Sequence, residues 1–257
     1  MSRGDGPRVL VCAGRDPTGG AGIDADATAL AAAGARAVCV VTTETDQDGR
    51  RVRSFAPRAA QLWRAEAEAQ LERGDVAAVK FGLLCDGDAL RAAGHLVERW
   101  AAPLGLPVVV DPVLAASGGE RFLPARELPT FARELLARGV VVTPNTLEAA
   151  ELSGLPRSDL DLLDGRLAAA RRLLAAGAGA VVLKGGHGAE DPVRDLILAA
   201  GRDPEWAIHP RIAGGGIHGS GCRHASFLAG RLAAGSALAD AAREAGAWLR
   251  SLIERGT

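Results

Sequence analysis

The sequence predicts an α/β fold, a single three-layer αβα domain on a mostly parallel central sheet. Three observations lead there. Short runs rich in Val, Ile and Leu alternate with longer Ala/Leu/Arg segments of helical period. The runs show no alternating polar face, and strands apolar on both sides belong to parallel sheets covered by helices. Glycines and polar residues gather directly after the runs, where open α/β sheets bind ligands.

Taken in order, residues 8–13 (RVLVCA) read as the first buried strand and the Gly/Pro-rich stretch 14–22 as a loop. Residues 23–33 are Ala-rich and helical, ended by Gly34. Residues 37–43 form the second strand, 44–49 a polar loop, and 57–73 a long helix stopped at Gly74. The third strand is 76–81, followed by a helix over 88–100 and a valine strand over 107–111 that ends on an acid. Helix 129–138, strand 140–143, helices 145–152 and 160–176, and strand 180–184 repeat the alternation. Two shorter strands, 195–199 and 205–212, precede helices over 220–234 and 238–255. Crossovers between parallel strands should be right-handed. Without an internal repeat, low-complexity linker or charge block, residues 1–257 read as one domain.

Composition narrows the function. A chain of 257 residues, 48% hydrophobic and 24% charged, has an ordinary globular balance with ample core. A net charge of −1 gives no electrostatic case for nucleic acid or acidic membranes. There is no signal-peptide pattern and no apolar run of transmembrane length. Cys12, Cys39, Cys85 and Cys222 are far apart without a C-x-x-C pair, so no zinc site or disulfide framework is expected, and the cytoplasm is the default location. Of the 30 Lys+Arg only Lys80 and Lys184 are lysine, and Asn145 is the single asparagine. All three stand at or just after strand ends, where an ammonium or an amide offers donors that arginine does not reproduce.

The strand ends carry Asp16, Gln47, Lys80, Asp111, Asn145 and Lys184, and the Gly-rich stretch 214–222 completes the rim. In that stretch, Gly219-Ser220-Gly221-Cys222 opens a helix, and glycines leading into a helix N-terminus suit a phosphate or a phosphoryl group in transfer. Cys222 in the first helical turn is expected to have a lowered pKa and to take a proton from a substrate hydroxyl; the plainer alternative is an inert buried cysteine. Asn145 and Glu148, three residues apart, suit the surroundings of a hydrated Mg²⁺, or form a capping box, or both. Lys184-Gly185-Gly186-His187 suits a nucleotide phosphate or a tight turn, and Asp111 suits metal-bound water or an N-cap. Together these parts point to phosphoryl transfer. A P-loop and the protein-kinase motifs are absent.

Residues 14–26 (GRDPTGGAGIDAD), 79–84 (VKFGLL), 111–114 (DPVL) with Ser117-Gly118, 143–148 (TPNTLE), 184–187 (KGGH) and 218–222 (HGSGC) resemble, in order and over essentially the whole chain, the signatures of the hydroxymethylpyrimidine/phosphomethylpyrimidine kinase family of the ribokinase-like superfamily. The resemblance implies a three-layer, commonly dimeric kinase of thiamine biosynthesis using ATP and Mg²⁺. By it, Gly14, Ala21, Asp26, Gln47, Leu83 and Val113 line the pyrimidine pocket. Asp111, Asn145, Lys184 and Glu148 face Mg·ATP, the first three on the nucleotide and Glu148, with Asn145 through water, on the metal. Gly219, Ser220 and Gly221 form the anion hole with Cys222, which stands where many relatives carry a catalytic aspartate. The departures from the family pattern, Arg15, acids flanking Gln47, Ile217 and Arg223, fall mainly on the acceptor side. Pyridoxal kinase, from the same superfamily, and a non-catalytic binder on the same fold are the rival readings.

Overall fold

In the computed structural model, which describes residues 6–188, 190–212 and 216–255, the apolar runs become strands of one sheet. Gly214 and Gly215 of the predicted Gly-rich rim lie outside the described residues. The first half runs β1 (Arg8–Arg15), α1 (Gly22–Ala32), β2 (Arg36–Gln47), β3 (Val52–Pro57), α2 (Ala60–Leu71), β4 (Val76–Phe81), α3 (Gly87–Leu96) and β5 (Val108–Val110). The second half runs α4 (Leu128–Glu134), β6 (Val141–Val142), α5 (Thr146–Ser153), α6 (Leu163–Ala175), β7 (Ala180–Leu183), β8 (Val193–Ala199), β9 (Glu205–His209), α7 (Ser220–Ala233) and α8 (Leu238–Arg255).

The strands lie in the order β3-β2-β1-β4-β5-β6-β7-β8-β9. From β2 to β7 every neighbouring pair is parallel; β3, β8 and β9 add antiparallel edges. The chain leaves β1 toward β2 and returns across it to β4. That reversal opens a crevice at the carboxyl ends of β1 and β4, the expected ligand site. Helices α2 to α6 pack on one face around Trp63, Leu90, Phe131 and Leu173. Helices α1, α7 and α8 pack on the other around Leu30, Phe227 and Leu228.

One expected loop is a strand. Residues 44–49 were expected as a loop, but β2 continues to Gln47 and returns as β3, pairing from Thr43↔Pro57 to Gln47↔Val52. This ribbon is held partly by ion pairs, Arg53 to Asp46 at 3.1 Å and to Asp48 at 3.3 Å. Its exposed, charged faces lack the apolar signature of a strand. Pro57 therefore ends β3, and the helix expected from 57 starts at Ala60.

Candidate active site

The loop after β1 is folded around Asp16. This buried carboxylate accepts hydrogen bonds from Thr18 N (2.9 Å), Thr18 Oγ1 (2.8 Å) and Ala21 N (2.9 Å), and pairs with His218 Nε2 at 2.8 Å. Burial works against its charge, but the bonds from Thr18, His218 and Ala21 outweigh it and hold the acid below the usual carboxylate range. His218 precedes α7, so this contact brings the first loop to the start of the seventh helix. Arg223, unusual at its position, adds a second tie: its guanidinium donates to the carbonyls of Gly20 and His218.

Below the loop lies a fully buried ion pair. Lys80 Nζ is 2.9 Å from both oxygens of Asp26, and Ser226 Oγ donates to the same carboxylate at 2.7 Å. Burial opposes the ammonium, yet Asp26 outweighs it and raises the lysine pKa. This corrects the expectation for Asp26. It does not line the pocket, because its carboxylate is spent on Lys80 and Ser226, joining α1, β4 and α7 beneath the site.

At the centre, Lys184 Nζ sits 3.0 Å from Asp111 Oδ1, which also accepts from Thr143 Oγ1 at 3.2 Å. Burial opposes both charges. Lys184 and Lys80 keep Asp111 acidic, and Asp111 and Glu148 keep Lys184 protonated. The start of α7 passes over this pair. A Cβ at Gly221 would stand 3.3 Å from Lys184 Nζ and 3.5 Å from Asp111 Oδ2. Gly219 is the N-cap at φ 73°, and a Cβ there would collide with the Gly20 carbonyl. The opening turn of α7 thus presents backbone amides, which lack intrahelical acceptors, directly above an ammonium.

Cys222 shares that turn, but its thiol is not activated. Burial pushes it up to about 12, Asp111 and Asp26 push the same way, and Lys80 and the Gly22 amide only partly offset them. The expected low-pKa thiolate is therefore corrected to a neutral S–H at neutral pH. The helix terminus is outweighed by burial, to which the two carboxylates add.

Asn145 and Glu148 form the capping box in full. Asn145 Oδ1 accepts from Leu147 N (2.8 Å) and Glu148 N (3.0 Å), and Glu148 Oε2 accepts from Asn145 N (2.8 Å). One carboxylate oxygen of Glu148 is left over. Burial, with Asp111 and Glu151, pushes its pKa up to about 8 against Lys184 and the Asn145 amide. Such an acid accepts a cation readily. Among the described residues no group of three or more His, Cys, Asp or Glu could hold a metal alone. The uncommitted carboxylate oxygen of Glu148, beside Asn145, has the chemistry to hold a Mg²⁺ that keeps most of its waters.

These parts share one cavity of about 930 Å³. Gly14, Ala21, Gln47, Leu83 and Val113 line one end, Asp111, Asn145, Glu148 and Lys184 the middle, and Gly219, Ser220, Gly221 and Cys222 the wall between. At the first end a Cβ on Gly14 would stand 2.8 Å from Leu83, so glycine lets the two surfaces close. Beyond Lys184 the cavity continues to Asp195, His209 and His224, residues not expected from the sequence. Asp195 accepts from Gly185 N at 2.7 Å and pairs with His209 Nε2 at 3.2 Å. The one signal available for them was two histidines in otherwise apolar elements.

A family model described as phosphomethylpyrimidine kinase matches residues 16–257. The chain belongs to the phosphomethylpyrimidine kinase family. It is 31% identical over 247 residues to the hydroxymethylpyrimidine/phosphomethylpyrimidine kinase of Bacillus subtilis, covering 96% of this chain and 89% of that protein. Identity to the Streptomyces coelicolor enzyme of the same name is 35% over 250 residues, covering 97% of this chain and 90% of that protein. Among solved structures, the pyridoxal kinase of Staphylococcus aureus in complex with AMP-PCP superposes with a TM-score of 0.86 at 27% identity, covering 97% of this chain and 89% of that one. The phosphomethylpyrimidine kinase of Clostridium difficile 630, at a TM-score of 0.80, 22% identity and coverage of 97% and 100%, shares the fold. In this family member the crevice at the β1/β4 reversal and the α7 turn is thus the candidate active site.

Proposed function

We propose that the chain transfers the γ-phosphoryl group of ATP to the hydroxymethyl oxygen of hydroxymethylpyrimidine, or to the phosphate of its monophosphate, as a step in making a thiamine precursor. The observation that carries this reading is the stack of Gly221 over the Lys184–Asp111 pair, midway along a cavity with room on both sides. The acceptor occupies the end lined by Gly14, Ala21, Gln47, Leu83 and Val113, and the donor the end beyond Lys184. The acceptor oxygen forms a bond to phosphorus as the bond to the ADP oxygen breaks, and the hydroxyl proton is released. Lys184 and the amides of Gly221 and Cys222 face the charge spread over the transferring oxygens. Asp111 holds Lys184 in place. Asn145 and Glu148 hold the hydrated Mg²⁺, which when bound neutralises phosphate charge. Cys222, a neutral thiol, orients the acceptor hydroxyl; phosphoryl transfer depends on positioning and charge more than on a strong base.

A homodimer in the cytoplasm is part of the same reading. No helix among the described residues is long and apolar enough to cross a membrane. A second reading, pyridoxal or pyridoxine phosphorylation, draws on the superposition with a pyridoxal kinase. ADP release measured with hydroxymethylpyrimidine, its monophosphate, pyridoxal and pyridoxine in parallel separates them. Turnover with the pyrimidines well above that with the pyridines supports the first reading, and the reverse order installs the second. Turnover with none of them removes both.

A further inference from the structure

Past the Lys184–Asp111 pair, the cavity ends in a slot that the phosphoryl-transfer parts do not explain. One side is a single face of α8: Gly246, Leu249, Arg250 and Ile253 recur at helical spacing, line the cavity and are only half-buried. Ile212 lines the cavity as well. At the bottom is His224, 2% exposed, with neither ring nitrogen hydrogen-bonded among the described residues. Buried polar groups in folded proteins are nearly always paired, so an unpaired imidazole on a cavity wall calls for a partner the chain does not supply. Asp195 does not serve, since its oxygens are engaged by Gly185 N and His209. The other charged or titratable groups felt by His224 are Lys184 and Asp111, already paired with each other. On α7 His224 lies three residues past Gly221, a rise of about 5 Å from the amides that face the phosphoryl group.

We infer that His224 is a specificity-determining residue for the phosphoryl donor: in the slot between α7 and α8 its ring nitrogens hydrogen-bond the edge of the nucleobase. On that face Gly246, Leu249 and Ile253 offer apolar surface, with no side chain at the glycine, against which a flat ring can lie. A polar group at the bottom distinguishes the edges of such rings, since a site built to hydrogen-bond a ligand rejects one that leaves its groups unpaired. This rests on the kinase reading and adds to it which part of the donor is read, and by which residue.

The test uses the full chain with His224→Leu and His224→Gln. KM for ATP and GTP is measured at saturating acceptor, with the acceptor KM and inhibition by tripolyphosphate as controls for the phosphate end. His224→Leu is expected to raise the KM for ATP about tenfold, the loss of one well-placed hydrogen bond. The ATP-to-GTP preference should shrink, while tripolyphosphate inhibition and the acceptor KM stay within about twofold. His224→Gln, which keeps a donor and an acceptor, should recover part of the loss. Thermal unfolding should show His224→Leu at least as stable as the parent, because an unpaired buried polar group has been removed. An unchanged ATP KM and preference in His224→Leu overturns the inference, as does equal weakening of ATP and tripolyphosphate. If the unmodified protein turns over with ATP in either case, the kinase reading survives. A parent protein that binds no nucleoside triphosphate overturns both.

Discussion

Replacing Glu148 by glutamine separates what this residue does for the fold from what it does for the metal. The side chain closes the capping box of α5 and is largely buried, with a pKa near 8 set first by burial. Between about pH 4.5 and 8 the folded chain keeps a proton that the unfolded chain has released, so stability falls as pH rises through that window. The displacement from 4.5 to about 8 corresponds to about 5 kcal/mol at pH 9 as an upper figure. Local relaxation reduces this, and about 2 kcal/mol is a working expectation. Glutamine keeps the cap, because it also serves at the third helical position. The variant without metal or nucleotide should therefore melt about 4–8 °C above the parent at pH 9 and nearly with it at pH 5. With Mg·ATP present the order should invert in function: a KM for Mg²⁺ raised at least about tenfold, from loss of the anionic ligand. Differential scanning calorimetry at the two pH values and a Mg²⁺ titration of ADP release measure both. A variant less stable than the parent at pH 9 with an unchanged Mg²⁺ requirement refutes the reasoning, because Glu148 would then be a structural cap alone.

Other consequences follow from the same geometry. Lys184→Met removes the ammonium under Gly221 and leaves Asp111 without its partner; kcat should fall about 10²–10³-fold, read in the ADP-release assay with folding checked by circular dichroism. Cys222 should react slowly with iodoacetamide at pH 7 and speed up through pH 10, and Cys222→Ala should lower kcat more than it raises the acceptor KM, with Cys222→Ser between. Breaking the buried pair by Lys80→Met should cost about 3–5 kcal/mol in urea unfolding, and Lys80→Met combined with Asp26→Leu should recover much of it. Asp16 contributes stability that is present above the ordinary aspartate pKa and lost as pH falls through its lower folded value; Asp16→Asn should remove that acid limb from a plot of melting temperature against pH.

The layered sheet was legible because its strands are buried on both faces and carry unbroken valine runs, as at Val108–Val110. The meeting of Asp111, Asn145, Lys184 and the α7 turn was legible because strand ends of a parallel sheet share an edge and the rare residues stood there. The β2–β3 ribbon was not, since its faces are exposed and charged, as at Asp46, Asp48 and Arg53, and carry no apolar period in sequence. Lys80 shows the limit of rarity as a signal. It stands near a strand end like Lys184, but its side chain is fully buried against Asp26 of α1, and only tertiary packing decides that. For Cys222 the helix terminus was readable from the glycines before it. The burial that reverses its effect is set by tertiary packing, and the two carboxylates that add to it come from residues nearly 200 and over 100 positions earlier in the chain.

A structure of the protein soaked with a non-hydrolysable ATP analogue, Mg²⁺ and hydroxymethylpyrimidine puts the whole arrangement to the test. The γ-phosphate is expected within hydrogen-bonding distance of Lys184 Nζ and the amides of Gly221 and Cys222, with the hydroxymethyl group pointing at it from the Gly14–Leu83 end. A triphosphate bound away from Lys184, or a pyrimidine outside this cavity, contradicts it.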